Sequence, residues 1–278
     1  MAFNVDLHSH SRASDGVLPP AGVAARAAAN GVQVWALTDH DETCGLAEAD
    51  RAAMALGMAF IPGVEISVTW GGHTVHVLGL NVDPADAALA AGLAQVRLAR
   101  NQRARLIADR LAAHGIGHAL QGALAQAGNP ELMGRLHFAR FLVEQGHCQS
   151  VQQAFDRYLG EGRRAFVPVR WAGLEAALGW IHGAGGKAVM AHPWRNRHTP
   201  VQQAALFDAF RDLGGQGLEV MSGPRAGSGQ DAWPRLAARY GFEGSRGSDF
   251  HAPGAGQFDL GCMPDLPPGL TPVWHDWV

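Results

Sequence analysis

The sequence predicts an α/β protein built as a parallel sheet or barrel. Three observations carry that expectation. Apolar runs alternate with helical segments over most of the chain, as in strand–helix–strand units. Runs such as VQVWAL, residues 32–37, have the apolar character of a strand covered on both faces. The predicted strands also end in His, Asp and Glu, where a (β/α) barrel gathers its reacting groups.

The first strand spans 3–7 and presents His8 and His10 on one side, because residues i and i+2 of an extended chain share a face. Two imidazoles so spaced can grip one metal ion. Asp15, in the following turn, adds a carboxylate, and that donor mix suits divalent Zn, Mn or Fe. Pro19 and Pro20 open a helix that runs to Asn30 and stops at Gly31. Strand 32–37 ends in Thr38-Asp39-His40-Asp41, and a helix over 46–56 stops at Gly57. A short strand over 58–61 is interrupted by Pro62-Gly63 and resumes over 64–68, and Gly71-Gly72 turns the chain into a strand over 74–80. From Asp83 the pattern turns helical, over 84–113, 118–127, 135–146 and 149–158, with no convincing strand between about 81 and 164. Residues 97–170 are therefore read as a helical insertion in a barrel formed by 1–96 and 171–278. Helices near 171–184, 200–213 and 230–240 then alternate with strands over 188–191, 218–221 and 244–245. The C-terminal residues, rich in Pro, Gly and Trp, are expected to lie along the surface.

Length and composition bound the function. A chain of 278 residues with 47% hydrophobic content buries a sizeable core, as one large domain or one domain with an insertion. Cys44, Cys148 and Cys262 form no CxxC, which argues against a disulfide framework or a thiolate zinc site. No basic-then-apolar leader is present and no apolar run approaches ~18 residues, so a soluble, cytoplasmic protein without an obligate protein partner is expected. Residues 97–170 hold eleven arginines against five acids, a segment of net +6 in a chain of net −3, leaving −9 for the rest. Metals on the acidic part and a polyanion on the basic part would fit that asymmetry. Arg97, Arg100 and Arg103 are read as solvated helix surface.

The candidate site residues are His8, His10, Asp15, His40, Glu65, His76, His192, Asp249 and His251, each on or just after a predicted strand. Nine donors exceed the four or so that one zinc-like ion takes. A cluster of two or three ions accounts for them, with Glu65, the only acid in its apolar strand, as the bridge. His73 is read as a solvated turn residue. His114, His118, His147, His182, His198 and His275 are read as surface or helix-end residues. Arg135 and His137 follow Gly134 at a helix start, where backbone N–H groups and the dipole favour an anion and Arg adds a planar fork. Arg163 and Arg164 are the next candidates for that anion site.

The motifs DLHSHS-x(3)-DG, TDHD, PGVEIS, H-x-LG, AHP and GSDFH, in this order, resemble those of the PHP (polymerase and histidinol phosphatase) phosphoesterases. The stretches GRLHFARFLVEQG and AFDRYLGEGRRAFVP resemble the branch with a helical insertion, which holds 3′,5′-nucleoside bisphosphate phosphatases and related 5′-to-3′ exoribonucleases. The resemblance implies a distorted (β/α)₇ barrel and a metal-dependent phosphomonoesterase. It implies a first metal on His8, His10, Glu65 and Asp249, a second on Glu65, His76 and His192, and a third on Asp15, His40 and His251. His8, His10, Glu65, Asp249 and His192 would carry catalysis, and Asp39 would orient His40. Manganese is the expected metal, with Zn, Fe or Mg as alternatives. The expected substrate is a nucleoside 3′,5′-bisphosphate, losing its 3′-phosphate. The competing readings are an exonuclease on short RNA or DNA, a histidinol-phosphate phosphatase and a non-catalytic module.

Overall fold

The computed structural model describes residues 3–196, 198–222, 232–255 and 258–277. Its strands are β1 (Val5–Asp6), β2 (Val34–Leu37), β3 (Ala59–Trp70), β4 (His73–Leu80), β5 (Ala172–Gly173), β6 (Lys187–Met190), β7 (Gly217–Ser222) and β8 (Glu243–Gly247). Seven form a sheet in the order β1-β2-β3-β4-β6-β7-β8, with β5 paired to β3 off that path. Leu7 N donates to Arg246 O at 3.1 Å and Ser9 bridges Phe250, which brings β8 back to β1 and nearly closes a seven-strand barrel. Among the described strands only β4 runs against its neighbours: it pairs antiparallel with β3 and with β6, which is the distortion of the (β/α) barrel.

Helices α1 (Pro20–Ala29) and α2 (Leu46–Ala55) cover one side of the sheet, around Trp35 and Leu37. Helices α7 (Leu174–Gly183), α8 (Pro200–Asp212) and α9 (Ala232–Tyr240) cover another, around Ile66, Met190 and Leu218. The predicted start of α9 at 230 lies outside the described residues. Between β4 and β5 the chain forms α3 (Ala87–Ala113), α4 (Ala119–Gln126), α5 (Arg135–Glu144) and α6 (Val151–Ala154), which runs on into a π-helical turn, Phe155–Leu159. These helices share a core around Ile107, Phe138 and Leu142. Each such side chain contributes roughly 1.5–3 kcal/mol by leaving water. Helix α3 serves both bodies: Leu89 and Leu93 pack into the barrel-side core, whereas Ala104, Ile107 and Leu111 pack into the helical one. Gly92 is what lets α3 press on α7, since a Cβ there would meet the Trp180 ring at 2.4 Å.

The structure corrects three expectations. Strand β3 is continuous through Pro62-Gly63. Pro62 is the last residue to pair with β2, opposite Leu37, and Gly63 the first to pair with β4, opposite Leu80, so the missing N–H falls at a change of partner. The C-terminal segment does not simply line the surface: Val273 and Trp274 are buried in the barrel interior with Val5, Leu7 and Val189. Arg100 and Arg103 are not solvated but only 5% and 7% exposed, both against the ring of Trp171.

Candidate metal centre

All nine predicted donors come together: most follow the C-terminal ends of the parallel strands, whereas Glu65 and His76 lie within β3 and the antiparallel β4. His8 and His10 continue β1, and their approach to β8 depends on Gly247, where a Cβ would lie 2.2 Å from that of His8. Glu65 and His76 stand on β3 and β4, His40 follows β2, His192 follows β6, and Asp249 and His251 follow β8. Asp41, His192 and Asp249 have φ of 49°, 24° and 52°. Such left-handed backbone at non-glycine residues is costly and concentrates at functional sites.

The donors form three overlapping groups. In the first, His8 Nε2 and His10 Nε2 lie 3.1 Å apart, 3.3 and 3.2 Å from Glu65 Oε2, and 3.4 and 3.2 Å from Asp249 Oδ1. A tetrahedron of donors at ~2.0–2.1 Å from a zinc-like ion has edges of about 3.3 Å, so these four atoms match such a site. In the second group Glu65 turns its other oxygen, Oε1, to His76 Nδ1 at 2.9 Å and His192 Nε2 at 2.8 Å. The two oxygens of Glu65 thus face two different groups, the arrangement of a bridging carboxylate. The third group joins His10, Asp15, His40 and His251, with His251 Nε2 3.2 Å from Asp15 Oδ1. His10 is an addition to the donors expected there, and His40, whose Nδ1 lies 3.0 Å from Glu65 Oε2, also borders the second group. Among the described residues no hydrogen bond reaches the buried Glu65 Oε2 or Asp15 Oδ1. The residues therefore fit divalent cations, both in donor chemistry and in spacing.

The electrostatics are those of a tightly coupled cluster. Burial alone would lower the pKa of His8 and His10. The carboxylates of Glu219, Glu65 and Asp249 instead hold His8 well above its ordinary value, and Asp249 and Glu65 bring His10 to about 10. At His40 burial wins, and its pKa falls to about 4 against the pull of Glu65 and Asp15. Burial would raise Asp15, Glu65 and Asp249, yet the surrounding histidines, joined at Asp249 by Arg195, hold all three well below the usual carboxylate range.

Two residues here have no counterpart among the expected ones. Glu219, fully buried on β7, accepts from His8 Nδ1 at 2.9 Å and from the His192 backbone N–H at 2.6 Å. In a neutral His8 ring that bond leaves Nε2, the nitrogen facing Glu65 and Asp249, with the lone pair. Arg195 Nη2 lies 2.6 Å from Asp249 Oδ2. Asp39 needs a correction: it accepts from Ser11 N at 2.7 Å, Ser11 Oγ at 2.6 Å and Ser14 Oγ at 2.5 Å, so it fixes the loop between His10 and Asp15 rather than the His40 ring.

Arg195 also lines a cleft of about 620 Å³, together with Thr74, Arg135, Phe155, Arg163 and Phe166. Arg135 stands over the rings of Phe155 and Phe166, at 5.6 and 5.9 Å. His137 does not reach this cleft; it is buried and its Nδ1 accepts from Gly134 N at 3.1 Å, capping α5. Arg163 is shared with an adjoining concavity that Arg164 lines with Asp156 and Arg157.

Fold and centre together define an α/β-barrel protein with a multi-donor His/carboxylate cluster suited to divalent cations. The chain belongs to the PHP family: the PHP domain matches residues 6–161. It is 48% identical over 273 residues, 98% of this chain and 96% of the relative, to a 3′,5′-nucleoside bisphosphate phosphatase of Chromobacterium violaceum. It is 41% identical over 278 residues, 98% of this chain and 93% of the relative, to the 5′-3′ exoribonuclease Rnm of Escherichia coli. A solved amidohydrolase structure from Chromobacterium violaceum, with bound sulfate and no metal, superposes with a TM-score of 0.93 at 47% identity, over 98% of this chain and 95% of that one.

Proposed function

We propose that this chain hydrolyses the 3′-phosphate of nucleoside 3′,5′-bisphosphates, giving the 5′-monophosphate and inorganic phosphate. The observation that carries the reading is the cleft. It runs from Arg195, bonded to Asp249 of the acidic centre, to Arg135 and Arg163 of the basic helical segment. A cavity of small-molecule size lined by guanidiniums, one of which contacts Asp249 beside the cation donors, suits a substrate whose phosphates reach from the centre to the helical segment. Similarity to a bisphosphate phosphatase across nearly the whole chain supports the same substrate.

His8, His10, Glu65 and Asp249 would hold one divalent ion, Glu65, His76 and His192 a second, and Asp15, His40 and His251 a third. Manganese suits these mixed donors. When bound, such ions draw charge from phosphoryl oxygens and lower the pKa of a water, which phosphomonoester hydrolysis needs given its slow uncatalysed rate. The chain's own part is placement. Glu65 sets the separation of the first two groups, Glu219 orients His8, and Arg195 brings a fork of donors to the cleft beside Asp249. Arg135 and Arg163 would hold the phosphate that does not react, with His137 supporting the start of α5 from beneath. In this reading 97–170 is a capping unit on the barrel of 1–96 and 171–278, a division that the two cores touched by α3 support. Free Cys44, Cys148 and Cys262 and a nucleotide substrate suit the cytoplasm. Among the described residues no helix is long and apolar enough to cross a membrane.

Similarity to exoribonucleases favours a second reading, 5′-to-3′ hydrolysis of short oligonucleotides at the same centre. Phosphate and nucleotide release from adenosine 3′,5′-bisphosphate, AMP, histidinol phosphate and short 5′-phosphorylated oligonucleotides separates the two. The proposal expects adenosine 3′,5′-bisphosphate to give the highest kcat/KM. Nucleotide release from oligonucleotides with bisphosphate inert would overturn it.

A further inference from the structure

The donors of the centre are braced from two directions. Glu219, a barrel residue, ties down His8 and His192. Asp15 and His40 lie instead in the loops after β1 and β2, and the helical layer grips both loops. Arg140 of α5 donates Nη2 to the Asp15 carbonyl at 2.7 Å, and Asn129 donates Nδ2 to the Ala13 carbonyl at 3.2 Å. From α3, Arg97 donates Nη1 to the Asp41 carbonyl at 2.8 Å. Arg100 donates Nε to Asp41 Oδ2 at 2.5 Å and Nη2 to Ser67 Oγ at 2.6 Å. Asp41 directly follows His40 and sits at φ 49°, a conformation that persists only where surrounding contacts impose it.

We infer that the helical layer is the scaffold of the third cation position, formed by His10, Asp15, His40 and His251, with Arg97, Arg100 and Arg140 as its positioning residues. The layer that lines the substrate cleft would then also set whether that position fills. The inference rests on reading these donors as cation ligands. Its sign is testable, because a guanidinium near a cation site acts in two opposite ways. As a charge it repels the ion, and its removal would tighten binding. As a scaffold it holds donors in place, and its removal loosens binding.

The experiment titrates metal-free full-length protein with Mn²⁺ and reads equivalents bound and their affinities by equilibrium dialysis with elemental analysis. Wild type is compared with Arg97→Met, Arg140→Met and the double variant, with folding checked by circular dichroism. Losing a partner outside the ligand shell costs roughly 10–100-fold in metal affinity. The double variant is therefore expected to weaken one equivalent by roughly tenfold or more and to leave the others unchanged. Arg97→Gln and Arg140→Gln replace any Met variant that does not fold. A last equivalent that binds unchanged or more tightly overturns the inference, as does a wild type that takes no more than two ions. A wild type that binds no Mn²⁺ contradicts the metal-centre reading itself.

Discussion

The barrel and the helical layer handle charge in opposite ways. In the barrel, acids and imidazoles are buried against each other: Glu65 alone lies within 3.3 Å of His8, His10, His40, His76 and His192. In the helical layer the charges are guanidiniums laid on aromatic rings, Arg103 at 4.8 Å from the centre of Trp171 and Arg135 over Phe155 and Phe166. Acids and imidazoles at 3 Å suit divalent transition-metal cations, whereas guanidinium forks suit phosphate. On the proposed function, the barrel would carry the chemistry and the helical layer the choice of substrate. Substitutions in each region should therefore fail in different ways.

The largest effect is expected at Glu65. Glu65→Gln removes a buried negative charge whose two oxygens face different donor groups and would leave bound ions with less compensation. Breaking a buried charge pairing costs about 3–5 kcal/mol, more than a hundredfold in affinity. Elemental analysis should show more than one equivalent of metal lost, with turnover lost alongside. Unchanged metal content would break the assignment of Glu65 as a bridge.

A smaller loss is expected at Glu219. Glu219→Gln keeps the shape of the side chain but weakens its hold on His8 Nδ1, and roughly 10–100-fold in metal affinity should follow. Calorimetric Mn²⁺ titration checks this. Equal affinity in the variant would mean that β1 and β8 alone orient the His8 ring.

The two regions also differ in how far the sequence reveals them. Seven of the nine donors stand out because strands announce themselves by apolar runs and these donors follow the runs, whereas Glu65 and His76 lie within theirs. Glu65 is recognisable as a lone acid in an apolar strand. Glu219 carries the same mark, between the buried Leu218 and Val220, but no recognisable motif surrounds it as PGVEIS surrounds Glu65. Arg100 and Arg103 look like ordinary helix-surface arginines, because what covers them, Asp41 and Trp171, is distant along the chain. His137 follows the pattern of an anion-binding helix start, yet its ring turns back to cap that helix, a choice of rotamer that no spacing encodes. Pro62 reads as a strand break, since nothing in the sequence shows that β3 changes partners there.

The division of labour is tested most directly at Arg135, which lines the cleft on the layer's side. The measurement is steady-state kinetics of Arg135→Ala on adenosine 3′,5′-bisphosphate and on a nucleoside 3′-monophosphate, which lacks the second phosphate. A charge-assisted contact contributes roughly 1.5–3 kcal/mol, about ten- to hundredfold in KM. If the layer selects substrate and the barrel performs the chemistry, KM for the bisphosphate rises by that factor while kcat and the monophosphate kinetics stay near wild type. An equal loss of kcat on both substrates would contradict the account, because Arg135 would then serve the reacting phosphate or only the fold.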